Sequence, residues 1–436
     1  NFTKRAFFSL VYHKKNTLLL FAVFFVLAIL VLTAFSMLEA CKKEEKLTIW
    51  ASQTQQQLVK DLMQDFLNEN PDFKLKLEYG VIGEDNAFAQ VSKDVEASAD
   101  VFGYANDQVM NLVNAGALAR LGTSMVDKLK AENEVSAVEA GKLGEGYYGY
   151  PYAADNGFFL QYDASVVSEE QAKTLDGVLE ACEANNKVLL MRLEGQSSWY
   201  IGSFFYAAGG KYNIDWAGQT MAKAESNFGD YAVDINGETS TQYTIGQVGG
   251  QALVDLASHK KGFVTGDDSV IDKRLDAGNL GAVITGTWKA KKIQESFGDN
   301  YRAAVMPKYT SSLDGRDYQI KHFIGYKLYG VNRNSKHLTE AYQVAAYLTS
   351  EKAQQKRYEV LGTGPSNNAV ATSDAIKNDV VLKVINAQKS FSIPQTPLPS
   401  EYFSALDAFG TDVYNGGTTS ANLKDKLDKL ISGIKH

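Results

Sequence analysis

The stretch KLTIWASQTQQQLVKDLMQDFLNENPDFKLKLEYG, residues 46–80, carries the grammar of the fold. KLTIWAS reads as a strand that ends in a loop. In LVKDLMQDFLNEN the apolar residues Leu58, Leu62, Phe66 and Leu67 recur at helical spacing and define one buried face. Asn70-Pro71 stops that helix, and FKLKLEYG then alternates apolar and polar residues as a half-buried strand does. Strand, helix and strand in this order argue for α/β architecture with mainly parallel sheets.

The same grammar continues along the chain. A helix is expected around Phe88 to Val95, and ADVFGYAND is a short buried strand whose exit carries Tyr104, Asn106 and Asp107. VMNLVNAGALARL reads as a helix interrupted by glycine. YYGYPYAADNGFFLQYD gives a strand, a turn through Asp155-Asn156-Gly157, and a second strand. KVLLMRL, LGAVITGTW and RAAVMPKY are further strands, and SSWYIGSFFYAAGG is a loop and helix. LTEAYQVAAYLTSEKAQQKRYEVL forms one long amphipathic helix, closed by the break Gly362-Thr363-Gly364-Pro365. There is no internal repeat, no low-complexity tract and no long linker between halves. Two lobes would therefore require the chain to cross between them more than once.

The first forty residues differ from the rest. Lys4, Arg5, Lys14 and Lys15 precede a run from Asn16 to Leu38 without a charged residue. A helix of about 20 apolar residues spans a bilayer core, and the basic flank directs the rest of the chain outward. Leu38-Glu39-Ala40-Cys41 then resembles a bacterial lipoprotein processing site, with Cys41 as the lipid attachment. An uncleaved anchor is the alternative, because Glu39 is unusual there and the run is long for a signal core. Either form leaves the remainder extracytoplasmic, on the outer face of the bacterial cytoplasmic membrane.

Bulk properties exclude several classes. Formal charge is −7 and pI about 5.5 over 436 residues, so no nucleic-acid surface is expected. Two cysteines, Cys41 and Cys182, cannot make a disulfide framework, and no Cys/His spacing suits a metal. Cys182 is expected as a half-buried small hydrophobe. No phosphate loop, calcium loop or Ser/His/Asp set stands out, and the five histidines are expected at the surface; no cofactor is expected. Tyrosine and phenylalanine are abundant, at 23 and 22 residues.

In open α/β sheets, ligands bind beyond the carboxyl ends of the strands. Here those ends pair an aromatic residue with polar ones: Trp50, Tyr104 with Asp107, Asp155 with Asn156 after Tyr152, Trp199-Tyr200, Trp288, and Tyr402-Phe403. A pyranose offers a C–H face to an aromatic ring and a rim of hydroxyls to carboxylates and amides. Taken singly, each ring is better explained as core packing; recurrence at strand exits is what packing leaves unexplained. Trp288 and Tyr104 rank above Trp50, which serves as well to cap the first core.

These segments resemble the maltose/maltodextrin-binding proteins among the extracellular solute-binding proteins of sugar ABC importers. The resemblance runs from KLTIW at Lys46 through ADVFGYANDQVMNLVNAGALARL, YYGYPYAADNGFFLQYD, SSWYIGSFFYAAGGKY and GAVITGTWKAKKI to NAQKSFSIPQTPLPSEYFSALDAF. It implies a monomeric two-lobed (type II) periplasmic-binding-protein-like fold. Residues 46–154 plus 308–362 would form the N-lobe and 155–307 plus 363–436 the C-lobe, after an anchor and tether over 1–45. It implies a stacking ring at Tyr104 and hydroxyl-binding acids at Asp107, Asp85 and Asp155, with Asn156 beside the last. Trp199, Trp288 and Phe403 fall on the family's sugar platforms, with Tyr200 and Tyr402 as neighbours. The loop after Trp50 is shorter than in familiar members, and Gln53 and Gln55 stand near an expected acid and lysine.

The resemblance implies a non-enzymatic protein that closes on a malto-oligosaccharide and delivers it to ABC permease subunits. A binding protein for another oligosaccharide, a peptide or a polyamine is the first alternative. A glycoside hydrolase is the second, since Asp107 and Asp155 would serve as its acid pair at a separation of about 5–9 Å.

Overall fold

The computed structural model describes residues 45–217 and 220–435, together with Leu27 and Ile29, which are helical and exposed. Cys41 and nearly all of the expected N-terminal hydrophobic helix lie outside the described residues. Among the described residues no helix is long and apolar enough to cross a membrane. Residues 47–73 and 78–436 form one compact body.

Two mixed sheets organise that body. Strand β1 (Lys46–Ala51), helix α1 (Gln56–Glu69) and strand β2 (Lys76–Val81) realise the opening unit. Helix α1 buries Leu58, Val59, Leu62, Met63 and Phe66, the stripe that the 3.6-residue period dictates. Strand β3 (Val101–Ala105) pairs in parallel with β1, Ile49 opposite Val101, and every residue of β3 is buried. Strand β4 (Tyr150–Asn156) belongs to this first sheet, and β5 (Phe158–Asp163) begins the second.

The second sheet adds β6 (Val188–Leu190), β7 (Phe263–Val264), β8 (Leu280–Gly286) and β9 (Tyr301–Ala304), in the order β7-β6-β8-β5-β9. The chain then returns through β10 (Phe323–Val331) and β11 (Ile393–Pro394), completing the order β11-β10-β3-β1-β2 with β4 also on β10. The pairs β1 with β3, β6 with β7 and β6 with β8 are parallel. The strands by which the chain enters or leaves, β5 and β10, make the antiparallel pairs.

Three sequence expectations change. Asp155 and Asn156 are not a turn: they finish β4, and only Gly157 separates it from β5, so the chain passes straight from one sheet into the other. A side chain at Gly157 would lie 2.8 Å from the Phe323 carbonyl, so glycine is what lets two crossing segments approach. The long helix of 338–361 is two, Leu338–Leu348 and Glu351–Leu361, because the Ser350 hydroxyl caps the second by accepting from Ala353 N–H. Residues 308–320, expected with the N-lobe, place Tyr309, Tyr318 and Ile320 in the second sheet's core beside Phe204. The return to the first sheet begins only at Phe323.

Two side chains are more enclosed than their sequence suggests. Cys182 is fully buried on the helix Leu175–Ala184, and burial pushes its thiol up to about 12. His322 is buried between the crossing segments against Phe158 and Ser392, not at the surface. Desolvation lowers its pKa to about 3 and keeps the ring neutral.

Candidate functional site

The strand exits of the two sheets face one another across the crossing segments. Contacts that join them include Gln196 donating to Asn86 at 3.1 Å, Thr287 approaching the Asp155 carbonyl at 3.5 Å, and Lys327 5.4 Å from the Trp288 ring centre.

On the first sheet's side, β3 ends at Ala105, and the 3-10 turn Asn106–Gln108 begins at once. That turn aims Asp107 past the strand end. Burial pushes the Asp107 carboxyl up to about 7; nearby Asp85 pushes it further, while hydrogen bonds from Gln395 and its own backbone pull it down. Asp85 is exposed on the turn Glu84–Asn86 that follows β2. Beneath it Glu84 is buried and accepts hydrogen bonds from Gln55 at 2.6 Å and Tyr152 at 2.7 Å. Arg357 donates to Gln55 and lies 4.4 Å from the centre of the Tyr152 ring. Gln55, which stands near an expected family lysine, therefore belongs to the packed floor.

The crossing strand supplies Asp155 and Asn156. Asp155 Oδ2 accepts from the Gly364 N–H at 2.7 Å. A side chain at Gly364 would meet the Asp155 Cβ at 2.8 Å, which explains a glycine in the break before Pro365. Oδ1 is buried and takes no hydrogen bond of normal geometry from the described residues. Burial raises the pKa of Asp155, opposed by the Lys327 charge, the Gly364 N–H and Thr287. A buried acceptor without a partner costs about 1–3 kcal/mol, so it is a place where a donor from a ligand would be favoured.

The second sheet's exits carry rings. Trp288 is the second residue of the helix Thr287–Phe297 after β8, and it is 38 % exposed. Its ring lies over Gly286, where any side chain would collide with it. Asp268 accepts from Trp288 and stands near Lys289 and Arg192, although burial dominates and raises its pKa. Tyr200 is buried against Phe158 with its hydroxyl towards Thr285; desolvation pushes it up to about 12. Half-buried Trp199 packs edge-on to Phe323 at 4.5 Å and tilts towards Phe403 at 5.7 Å.

Two expected rings do not reach this surface. Tyr104 lies inside β3 with no exposed area, beside Phe102, Gly149 and Gly330, and neither face is open to a ligand. Tyr402 is equally enclosed, its hydroxyl 2.9 Å from that of Tyr206 and pressed against Gly202. Asp85, Asp107, Asp155, Asn156, Trp199, Tyr200, Trp288 and Phe403 lie at or beside the exits. Sequence reasoning missed Arg192, Asp268, Lys327 and Gln395. Arg192 and Asp268 follow strands as the other site residues do, but lack an aromatic signal; Lys327 and Gln395 belong to the return segments.

The described residues contain no cluster of His, Cys, Asp or Glu able to hold a metal. A cavity of about 710 Å³ lies at the β9 edge of the second sheet, lined by Tyr162, Arg302, Lys308 and Gln319 among others. It is lined by none of the site residues named above.

The chain is similar to known proteins over most of its length. The family model described as "Bacterial extracellular solute-binding protein" matches residues 61–384. The galactooligosaccharide-binding protein of Bacillus subtilis (strain 168) is 23% identical over 410 residues, covering 91% of this chain and 90% of that protein. A solved structure with acarbose is 28% identical, with TM-score 0.75, covering 90% of this chain and 99% of its own. The Thermus thermophilus maltotriose-binding protein bound with maltotriose has TM-score 0.69 at 19% identity, covering 89% and 99%.

Proposed function

We propose, from the premise that this chain belongs to the bacterial extracellular solute-binding proteins, that its ligand is an oligosaccharide held between the strand exits of the two sheets. The observation that carries the reading is a half-exposed Trp288 ring and a buried Asp155 carboxylate that share neighbours: Lys327 lies 5.4 Å from the ring centre and its charge acts on Asp155, and Thr287, next to Trp288, approaches the Asp155 carbonyl. A ring takes the C–H face of a pyranose, and carboxylates take its hydroxyl rim. Asp107, Asp85 and Asn156 would bind from the first sheet and the crossing strand; Trp288, Trp199 and Phe403 would stack from the second.

Malto-oligosaccharide is the favoured ligand. The site's several rings and the likeness to maltotriose- and acarbose-bound structures support it. A galacto-oligosaccharide is the second reading, supported by the name of the Bacillus subtilis relative. The mechanism is closure: sugar contacting both sets of exits binds the closed form better, and shifts the equilibrium by that difference. The closed form would then dock on ABC importer permease subunits. The charge-free run behind four basic residues supports attachment to the outer face of the membrane, through acylated Cys41 or the helix itself.

Calorimetry of the full chain against maltotriose, acarbose and a galacto-oligosaccharide tests this reading. Saturable binding of a glucan is expected, without release of glucose on long incubation. Binding of the galactoside alone would select the second reading, and glucose release would make the protein a hydrolase.

A further inference from the structure

Gln395 lies in the turn IPQTPLP, one residue beyond β11, and its two ends reach different parts of the site. Its Nε2 donates to Asp107 Oδ1 at 2.7 Å, and its Oε1 accepts from Asn156 Nδ2 at 3.2 Å. Its backbone is fixed independently: Gln395 N–H donates to the Ile324 carbonyl at 2.8 Å, and Asn106 Nδ2 donates to the Gln395 carbonyl at 2.8 Å. Asn106 in turn accepts from Tyr326 N–H at 2.9 Å. A side chain on Gly325 would lie 1.5 Å from Gln395 Oε1 and 3.0 Å from Asn156 Nδ2. Glycine at 325 thus leaves the room that the Gln395 amide fills.

We propose that Gln395 is a positioning residue, a clasp that locks the Asp107 carboxylate to the crossing strand at Asn156 and so fixes the acid against the hinge segments. Each end of the amide has one acceptable partner type: the NH₂ must face the carboxylate and the oxygen must face an amide donor. The clasp therefore specifies the orientation of Asp107 as well as its place. It also joins three separate passages of the chain between the sheets, so movement at the return segment is transmitted to the acid. Its effect on sugar rests on the reading of Asp107 as a hydroxyl-binding carboxylate; its effect on Asp107 itself does not.

The clasp hydrogen bond favours the charged carboxylate, and the other groups acting on Asp107 are Asp85 and its own backbone N–H. Removing the clasp leaves burial and Asp85 to raise the titration further. The test is ¹³C-carboxyl NMR of the full chain labelled at aspartate, with Asp107→Asn assigning the signal. Gln395→Leu should move the Asp107 midpoint upward from about 7 by roughly one pH unit, the usual strength of a hydrogen bond to a charged group. Gly325→Ala, which displaces the same amide without deleting it, should move it in the same direction, and the double variant no further. A midpoint that Gln395→Leu leaves unmoved overturns the proposal; a shift in Gln395→Leu alone supports it, the amide then accommodating the added methyl at position 325. Calorimetry with maltotriose separates the two claims. If the midpoint moves and Asp107→Asn leaves affinity unchanged, the clasp stands and Asp107 is not a sugar ligand. If Asp107→Asn weakens binding tenfold or more, Gln395→Leu should weaken it several-fold and shift its pH profile upward.

Discussion

Strands β3 and β8 end alike in sequence, each with an aromatic residue beside polar ones, yet their rings have opposite fates. Tyr104 has no exposed surface, whereas Trp288 is 38 % exposed. Tyr104 lies within β3, and a sheet covered on both faces buries every residue of a central strand whatever its parity. Trp288 lies two residues past β8, on the first turn of the following helix, where the chain has left the sheet. The counterpart of Trp288 on β3 is Asp107, two residues past Ala105. The two sides of the site therefore differ in chemistry: the first presents carboxylates, the second presents rings. A pyranose, with hydroxyls at its rim and C–H groups on its face, needs both.

That contrast can be broken in several ways. The largest effect is expected on stability, from Tyr104→Ala, which should cost about 3–5 kcal/mol as a large buried ring is removed. Thermal or denaturant unfolding measures it; a loss under about 1 kcal/mol would mean that the ring is not core. Trp288→Ala should leave unfolding almost unchanged and weaken glycan binding about 30-fold, some 2 kcal/mol, as a stacking anchor should. Calorimetry reads this directly, and unchanged affinity would make Trp288 a structural ring.

Asp107 adds a pH dependence with two opposite signs. Its pKa is raised from 3.8 to about 7 in the folded protein, so between these values the folded state holds a proton that the unfolded state has lost. Its contribution to stability falls as pH rises through that window and is flat above it. Sugar hydroxyls donate to the charged carboxylate, so affinity should instead rise, up to about tenfold, from about pH 6 to about pH 8. Asp107→Asn should flatten both curves. The smallest effect is expected from Tyr104→Phe. Its buried hydroxyl has no hydrogen-bond partner among the described residues, so removal should leave affinity unchanged and stability equal or higher by about 1 kcal/mol.

Much of this was legible in sequence because periodicity and strand order are local. The opening unit, the helix stripe Leu58-Leu62-Phe66 and the exits at Asp107 and Trp288 could all be read from residue spacing. The rank given to Tyr104 failed to separate residues inside a strand from those just beyond it. The helical spacing of Tyr402, Leu406, Phe409 and Val413 already marks Tyr402 as core and Phe403 as one step round. Gln395, Lys327 and Gly364 were not legible. Each matters through a partner distant in the chain, and nothing in its own neighbourhood announces that partner. The same holds for Gly157, whose need is set by the approach of His322 and Phe323.

The most direct test of the central claim is calorimetric titration of the full chain with maltotriose, in the parent and in Trp288→Ala and Asp155→Ala. Saturable, one-to-one binding is expected, weakened by both variants from opposite sides of the bound sugar, with folding preserved. Binding that neither variant changes, or no binding of any oligosaccharide, would contradict it.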